Sequence, residues 1–94
     1  MYARVVTAQF KPATMERGLH TLQDQVRPTV SKQPGFQDWE VLADRQTGFI
    51  QTTTHWASEA EARAASAAIL RERTGVLDEF QAGATTTAIY EVVK

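Results

Sequence analysis

The chain contains no cysteine, which excludes disulfides, thiolate zinc sites, iron–sulfur clusters and cysteine nucleophiles. It also lacks a charge excess, since 10 basic side chains face 11 acidic ones, so no positive field attracts nucleic acid. No apolar run approaches the roughly 20 residues of a membrane-spanning helix, and the first ten residues alternate instead of forming a signal-type run. We therefore expect no nucleic-acid partner, no membrane partner and a cytoplasmic location.

The remaining composition is that of an ordinary folded protein. Of the 94 residues, 43% are hydrophobic and 22% are charged, without low-complexity segments. This length predicts one domain over residues 1–94. A domain of this size buries only a modest part of its surface alone, so burial against a partner would contribute to its stability.

Two patterns of apolar residues alternate along the chain. Period-two segments rich in β-branched and aromatic residues predict strands at residues 2–10, 36–43, 49–56 and 85–93. Spacings of three and four predict a first amphipathic helix that begins at Thr14, with Pro28 inside it as the cause of a kink or a break. A second helix should begin at Ser58, which forms a capping box with Glu61, and should end at Gly75.

The order strand, helix, strand, strand, helix, strand predicts an α+β fold of the ferredoxin-like βαββαβ type. Its four-stranded antiparallel sheet would carry two helices on one face. Both parities of every strand contain apolar residues, as Tyr90 and Val92 against Ile89 and Val93 illustrate in the last strand. Neither face should therefore be fully solvated, and a homodimer is the simplest way to cover the second one.

A few residues could support chemistry. His55 lies on a predicted strand and could act as a general base towards a phenol, or be an ordinary hydrogen-bonded strand residue. Trp39 and Tyr90 could stack on a flat ligand, or be core or interface residues. The two histidines, His20 and His55, have no metal-binding spacing with the acidic residues, so we predict no metal.

Two short segments resemble a known family. The residues QPGF at 33–36 and THWASEA at 54–60 are similar to the P-G-F and W-x-S-x-E-A segments of the antibiotic biosynthesis monooxygenase family. The resemblance covers nearly the whole chain and implies a dimeric α+β barrel. Members include oxygenases of aromatic polyketides that use neither metal nor flavin, haem-degrading enzymes, quinol oxygenases and proteins without known activity.

The resemblance also suggests where a ligand would bind. In the family the tryptophan of W-x-S often lies near the cavity, which implies that Trp56 lines a pocket under the second helix. His55 and Trp56 should point to opposite faces because they are adjacent on a strand. The haem-degrading branch has its characteristic asparagine, tryptophan and histidine at positions aligned with Val5, Ala65 and Gly75, so we expect no haem and no other cofactor.

The leading hypothesis is a cofactor-independent monooxygenase that acts on a small aromatic phenol, quinol or polyketide. Its catalytic residues would be His55, Trp56 and Tyr90, and its substrate-binding residues would be Trp39, Trp56 and Tyr90. A ligand-binding or structural homodimer without turnover is the first alternative, and an isomerase or decarboxylase-like activity is the second. An open cavity between the sheet and the second helix favours an enzyme, whereas a closed apolar interior favours a structural role.

Overall fold

The computed structural model describes residues 1–72, 75 and 77–94. Its four strands are β1 (Tyr2–Gln9), β2 (Phe36–Ala43), β3 (Phe49–Trp56) and β4 (Thr86–Glu91), which form one antiparallel sheet in the order β2-β3-β1-β4. This order, with the helices packed on one face, confirms the predicted ferredoxin-like fold. β1 is one residue shorter than predicted because Phe10 makes only an isolated bridge with Gln81, and β4 lacks the outermost predicted residues.

The first helical region spans residues 15–31 and is interrupted, as the position of Pro28 predicted. Helix α1 (Met15–Thr21) continues into a π-helical segment (Leu22–Val26) and then into α2 (Arg27–Ser31). The Arg27 amide donates to the Leu22 carbonyl five residues earlier, which is the hydrogen bond of a π turn. Pro28 has no amide hydrogen and its ring crowds the carbonyl four residues back, so a wider turn before it relieves the clash.

Helix α3 (Glu59–Glu72) begins at the predicted cap. The Glu61 amide donates to the Ser58 hydroxyl at 3.2 Å, and that hydroxyl donates to the Glu61 carboxylate at 3.1 Å. In a standard capping box the glutamate carboxylate accepts from the backbone amide of the serine. Here the Glu61 carboxylate accepts from the Ser58 hydroxyl instead. Gly75 has a φ of +86°, a conformation typical of helix ends, whereas residues 73 and 74, next to the predicted end of the helix, lie outside the described residues.

The register of the strands assigns every residue to one of two faces. The covered face packs against the helices, and its central strands contribute the buried residues Arg4, Ile50, Thr52, Thr54 and Trp56. None of the described helices packs on the open face. Its apolar members are Ala3, Val5, Leu42, Phe49, Ala88 and Tyr90.

The two segments that resemble the family motifs contact each other in the folded chain. The Ala57 amide donates to the Gly35 carbonyl at 2.9 Å, and the Phe36 ring meets the Trp56 ring edge-on at a centroid distance of 5.7 Å. Gly35 has a φ of +85°, and a Cβ there would lie 2.5 Å from the Glu61 side chain. Only glycine combines this conformation with so close an approach. The motifs thus fix the start of α3 to the start of β2.

Candidate functional site

A cavity of about 30 Å³ lies between the covered face of the sheet and the first helical region. Its apolar wall consists mainly of Val6, Ala8 and Ile50 from the sheet and Leu22, Val26 and Val30 from the helical region. By this measure a water molecule needs roughly 10–15 Å³, so the cavity has room for about two waters. A roughly 150 Å³ cavity is known to bind one benzene, so an aromatic ligand requires more space than this state offers.

The position of the cavity coincides with the π-helical segment. Leu22 and Val26 are the first and last residues of that segment, and both line the cavity. A π turn is wider than an α turn and holds its side chains at a changed angle, which interrupts close packing against a flat sheet. π turns are frequent at functional sites, and this one lies over the cavity.

The polar groups of the lining come from three strands and from the residue before β4. They are Arg4, Trp39, Thr52 and Thr85. Arg4 is only 5% exposed, and its Nε donates to the Ser66 hydroxyl on α3 at 3.0 Å. A buried charge is costly unless it is hydrogen-bonded, so this anchor to α3 is part of what holds Arg4 at the cavity wall.

Trp39 is the one predicted site residue that lines this cavity. It is half-buried, and its indole N–H donates to the Gln23 side-chain carbonyl at 3.2 Å. The bond joins the middle of β2 to the π-helical segment. An aromatic wall with one polar edge is a common element of sites for flat ligands.

Trp56 lies in the core and does not line the cavity. Its side chain is fully buried, its indole N–H donates to the Thr54 hydroxyl at 2.9 Å, and Phe36 packs edge-on against it. The α3 residues Ala62 and Ala65 are buried in the same cluster, together with Ile69. The sequence suggested a pocket beneath α3 at Trp56, whereas the cavity described above lies beneath the first helical region.

His55 and Tyr90 lie on the open face. They flank Ala3 on opposite sides, because Ala3 pairs with His55 in β3 and with Tyr90 in β4. The His55 Nδ1 atom is 3.9 Å from a carboxylate oxygen of Asp38, and Tyr90 is 57% exposed. His55 and Trp56 do point to opposite faces, as expected. Within one chain the four predicted site residues are therefore divided between the two faces and do not form a single pocket.

A second, open recess lies between α1 and the edge strand β2, and we call it the outer groove. Its volume is about 330 Å³, and its lining includes Leu19, His20, Gln23, Val41 and Ala43. The ion pair between Glu16 and Arg45 crosses one end of it. The hydrogen bond and the charge of Arg45 lower the pKa of Glu16, and the same contacts raise the pKa of Arg45.

Sequence reasoning missed several of these residues for identifiable reasons. Arg4 lies on the covered face of β1, between Tyr2 and Val6. A charged residue among alternating apolar positions of a strand was the sequence feature that could have identified it. Gln23 belongs to the polar face of the predicted helix, so only the tertiary structure reveals its bond to Trp39. Among the described residues, no three metal-binding side chains cluster and no helix is long and apolar enough to cross a membrane.

Residues 1–84 match the sequence model of the antibiotic biosynthesis monooxygenase family. The chain belongs to this family. The match confirms the resemblance given by the two motif segments, and proteins of this family are generally dimers. No curated protein sequence matches the chain closely enough to serve as a relative.

Several solved structures share the fold at low sequence identity. One is a monooxygenase from the ActVA-Orf6 gene of Streptomyces coelicolor in complex with nanaomycin D (19% identity, 99% of this chain and 88% of that chain, TM-score 0.79). Another is SnoaB, a cofactor-independent oxygenase from Streptomyces nogalater, solved as a mutant (17% identity, 99% of this chain and 93% of that chain, TM-score 0.72). A third is an MhuD mutant with two manganese protoporphyrin IX groups per active site (17% identity, 100% of this chain and 96% of that chain, TM-score 0.76). At these identities the similarity shows the fold alone.

The residues at positions 5, 65 and 75 do not match the asparagine, tryptophan and histidine that the haem-degrading branch has there. Position 75 is a glycine, and the two histidines of the chain lie on α1 and β3, away from the end of α3. Ala65 is buried in the core, and Val5 lies on the open face. These positions provide no imidazole for iron.

Proposed function

We propose that this protein is an oxygenase of small aromatic molecules, of the phenol, quinol or polyketide class, that needs no bound cofactor. The observation that carries the proposal is the mainly apolar cavity beneath the π-helical segment, with a tryptophan and three other polar groups in its wall. Apolar pockets with a few convergent polar groups are the usual form of sites for flat ligands. Family membership adds support, because the family includes structures of monooxygenases.

The reaction balances without an added reductant. A hydroxyarene with a free ring position gives up two hydrogens and four electrons when that position becomes a quinone carbonyl. Dioxygen takes all four electrons, one oxygen atom forms the new C=O bond, and the other leaves as water with the two hydrogens. Loss of the phenolic proton starts the sequence, because the phenolate is electron-rich enough to transfer an electron to dioxygen.

The protein would mainly bind and orient the substrate. Trp39 would stack on the ring, and Thr52 and Thr85 would orient its oxygen atoms. The described lining contains no histidine, aspartate or glutamate, so the phenolic proton would leave to water at the outer groove. Expulsion of the remaining water would then protect the reactive intermediate.

The roles predicted for the other residues enter the proposal in changed form. Trp56 would support the site from the core, through its contacts with Phe36 and Thr54. His55 as base and Tyr90 as orienting hydroxyl could act only on a ligand at the open face, where both lie. Variants at these positions therefore separate a site in the cavity from a site at the open face.

We further propose that the open face is the interface of a C2 homodimer. Leu42 is 51% exposed, Phe49 is 42% exposed and Tyr90 is 57% exposed, although all three are large apolar or aromatic residues. They share this face with Ala3 and Val5 at its centre. Sedimentation should give the mass of two chains, and Leu42→Glu should give the mass of one. Ala67→Glu on the exposed side of α3 is the control and should leave the dimer intact.

Oxygen uptake with 1-naphthol and 1,8-dihydroxyanthrone tests the activity. We expect consumption of one dioxygen per quinone formed, with one atom of ¹⁸O₂ in the product. Val26→Phe, which fills the cavity, should lower the rate at least about tenfold, and the matched Val93→Phe change at an exposed position should not. Loss of activity in His55→Gln or Tyr90→Phe, with full activity in Val26→Phe, would move the site to the open face.

A ligand-binding or structural homodimer without turnover is the second candidate. The specific observation in its favour is the complete burial of Trp56, together with a cavity too small for a ring in this state. This candidate predicts a dimer that consumes no oxygen with any member of the phenol and quinol panel. Uptake above the rate of the uncatalysed reaction, lost on heating and in Val26→Phe, would contradict it.

A further inference from the structure

We propose that the cavity beneath the π-helical segment, here called the inner cavity, and the outer groove are two parts of one ligand-binding site. The hydrogen bond between Trp39 and Gln23 closes the passage between them. The inference rests on the proposed function for the class of ligand, a planar hydroxyarene. It assigns to Trp39 and Gln23 a role in ligand entry that concerns binding and not the chemical step.

The two recesses share the same walls. Along the helical region, Leu22 faces the inner cavity, whereas its neighbours Leu19 and Gln23 face the outer groove. Along β2, Trp39 lines the inner cavity, and Val41, the next residue on the same face, lines the groove. The boundary between the recesses therefore runs between adjacent side chains of one helix and one strand.

The bond across that boundary is of the kind that can open. It joins an indole N–H to a neutral amide oxygen at 3.2 Å, and both side chains are partly or largely exposed. A neutral hydrogen bond of this type contributes little net stability, because water replaces it readily. Gln23 is exposed, and side-chain rotations of exposed residues are fast, so its amide can leave the half-buried indole readily.

The other end of the groove is spanned by an ion pair. Glu16 and Gln23 are seven residues apart, about two helical turns, so both face β2. Glu16 pairs with Arg45, and Gln23 pairs with Trp39. The ion pair spans the outer end and the Trp39–Gln23 bond closes the inner end, so loss of the Trp39–Gln23 bond opens the groove towards the cavity.

The volumes agree with a joined site. The inner cavity, at about 30 Å³, is too small for an aromatic ring, while the outer groove, at about 330 Å³, is large enough but open to solvent. With the indole turned aside, a ring could enter from the groove and lie between Val26 and the sheet. Its hydroxyl could then take the place of Gln23 as the partner of the Trp39 N–H. The groove rim, with Leu19, His20 and Val41, would contact substituents that remain outside.

Two tryptophans in the whole chain make a direct test possible. The protein is labelled with 5-fluorotryptophan, and its two ¹⁹F resonances are assigned with Trp39→Phe. Titration with 1-naphthol is carried out without oxygen, so binding is observed without turnover. We expect the Trp39 resonance to shift and the Trp56 resonance to change much less. Chemical shifts of Trp56 alone, or of neither residue at saturating 1-naphthol, would overturn the proposal.

A variant pair tests whether the Trp39–Gln23 hydrogen bond controls ligand entry. Gln23→Ala removes the bond and should lower the dissociation constant of 1-naphthol, or raise its association rate, about threefold to tenfold, the factor that one neutral hydrogen bond supplies. Gln25→Ala is the matched control, since Gln25 is exposed on the same π-helical segment and lines neither recess. Equal binding constants and rates for both variants would contradict the assignment.

Failure of this inference and failure of the proposed function are distinguishable. Anaerobic binding with a Trp39 response, but no oxygen uptake with any phenol, would keep the joined site and remove the oxygenase. Oxygen uptake without a Trp39 response to 1-naphthol would support the oxygenase activity and contradict ligand entry past Trp39.

Discussion

The two helical layers on the covered face contact the same sheet, yet they pack in opposite ways. Helix α3 presents small residues, including Ala62 and Ala65, and leaves no described cavity above the fully buried Trp56. The first helical region presents the larger Leu22, Val26 and Val30, and it leaves the cavity. The described cavity therefore lies beneath the helical region that contains a π turn, where the wider backbone interrupts close packing.

The largest expected effect is that of truncating the two tryptophans. Trp56→Ala should lower the free energy of unfolding by about 3–5 kcal/mol, because it removes a large side chain from a filled region. Trp39→Ala should lower it by only about 1 kcal/mol, because Trp39 borders free volume and is partly exposed. Urea denaturation measures both. Equal losses would mean that the two layers are packed equally well.

Enlarging a side chain should give the second largest contrast. Ala65→Leu adds volume at a buried position of α3 and should cost about 1–3 kcal/mol in the free energy of unfolding. Val26→Leu adds one methylene next to the cavity and should change stability by less than about 1 kcal/mol in either direction. Denaturation midpoints at equal slope decide the comparison, and a larger penalty for Val26→Leu would contradict it.

The attachment of α3 to β2 should give the next effect. Gly35→Ala should cost about 1–2 kcal/mol, because it imposes a positive φ on alanine and brings a Cβ against Glu61. Gly83→Ala is the control: Gly83 does not have a positive φ, and a Cβ there would meet only ordinary contacts at 3.4 Å or more. Thermal unfolding of the two variants is the measurement. The account is contradicted if Gly83→Ala is the less stable protein.

The smallest effect concerns pH and the ion pair across the groove. The pKa of Glu16 is lowered below its ordinary value of 4.5, so the pair stabilises the fold above that value and loses this contribution as the pH falls through the lowered pKa. Glu16→Gln should therefore lower the Tm slightly at pH 7 and not at all near pH 2. Both residues are exposed, so the effect should also shrink in high salt. A Tm difference that persists at pH 2 would mean that the carboxylate is not its source.

Local signals were sufficient to predict the order of the elements and most of the fold. The period-two segments gave β2 and β3 with their observed bounds, and the serine cap gave the start of α3. Pro28 predicted a break in the first helix, but the π turn itself depends on how the chain accommodates the proline against the sheet. Alternation could not reveal which parity faces the helices, because both parities contain apolar residues.

The site was less predictable for the same reason. Trp39 was recognised as an aromatic wall, while Trp56, which was associated with a pocket beneath α3, is buried in one core cluster with Ala62 and Ala65. The cavity forms where a helix, two inner strands and an edge strand meet, and no short segment of sequence encodes that meeting. Arg4 and Gln23 join the site through contacts at sequence separations of 62 and 16 residues, which a linear pattern does not contain.

A crystal structure of the protein with 1-naphthol, grown and soaked without oxygen, would locate the ligand-binding site. We predict electron density for the ring between the π-helical segment and the covered face of the sheet, with Val26 in contact and the Trp39 indole turned away from Gln23. Density beneath α3 against Trp56, or at the open face between His55 and Tyr90, would contradict this account and would restore the site suggested by the sequence.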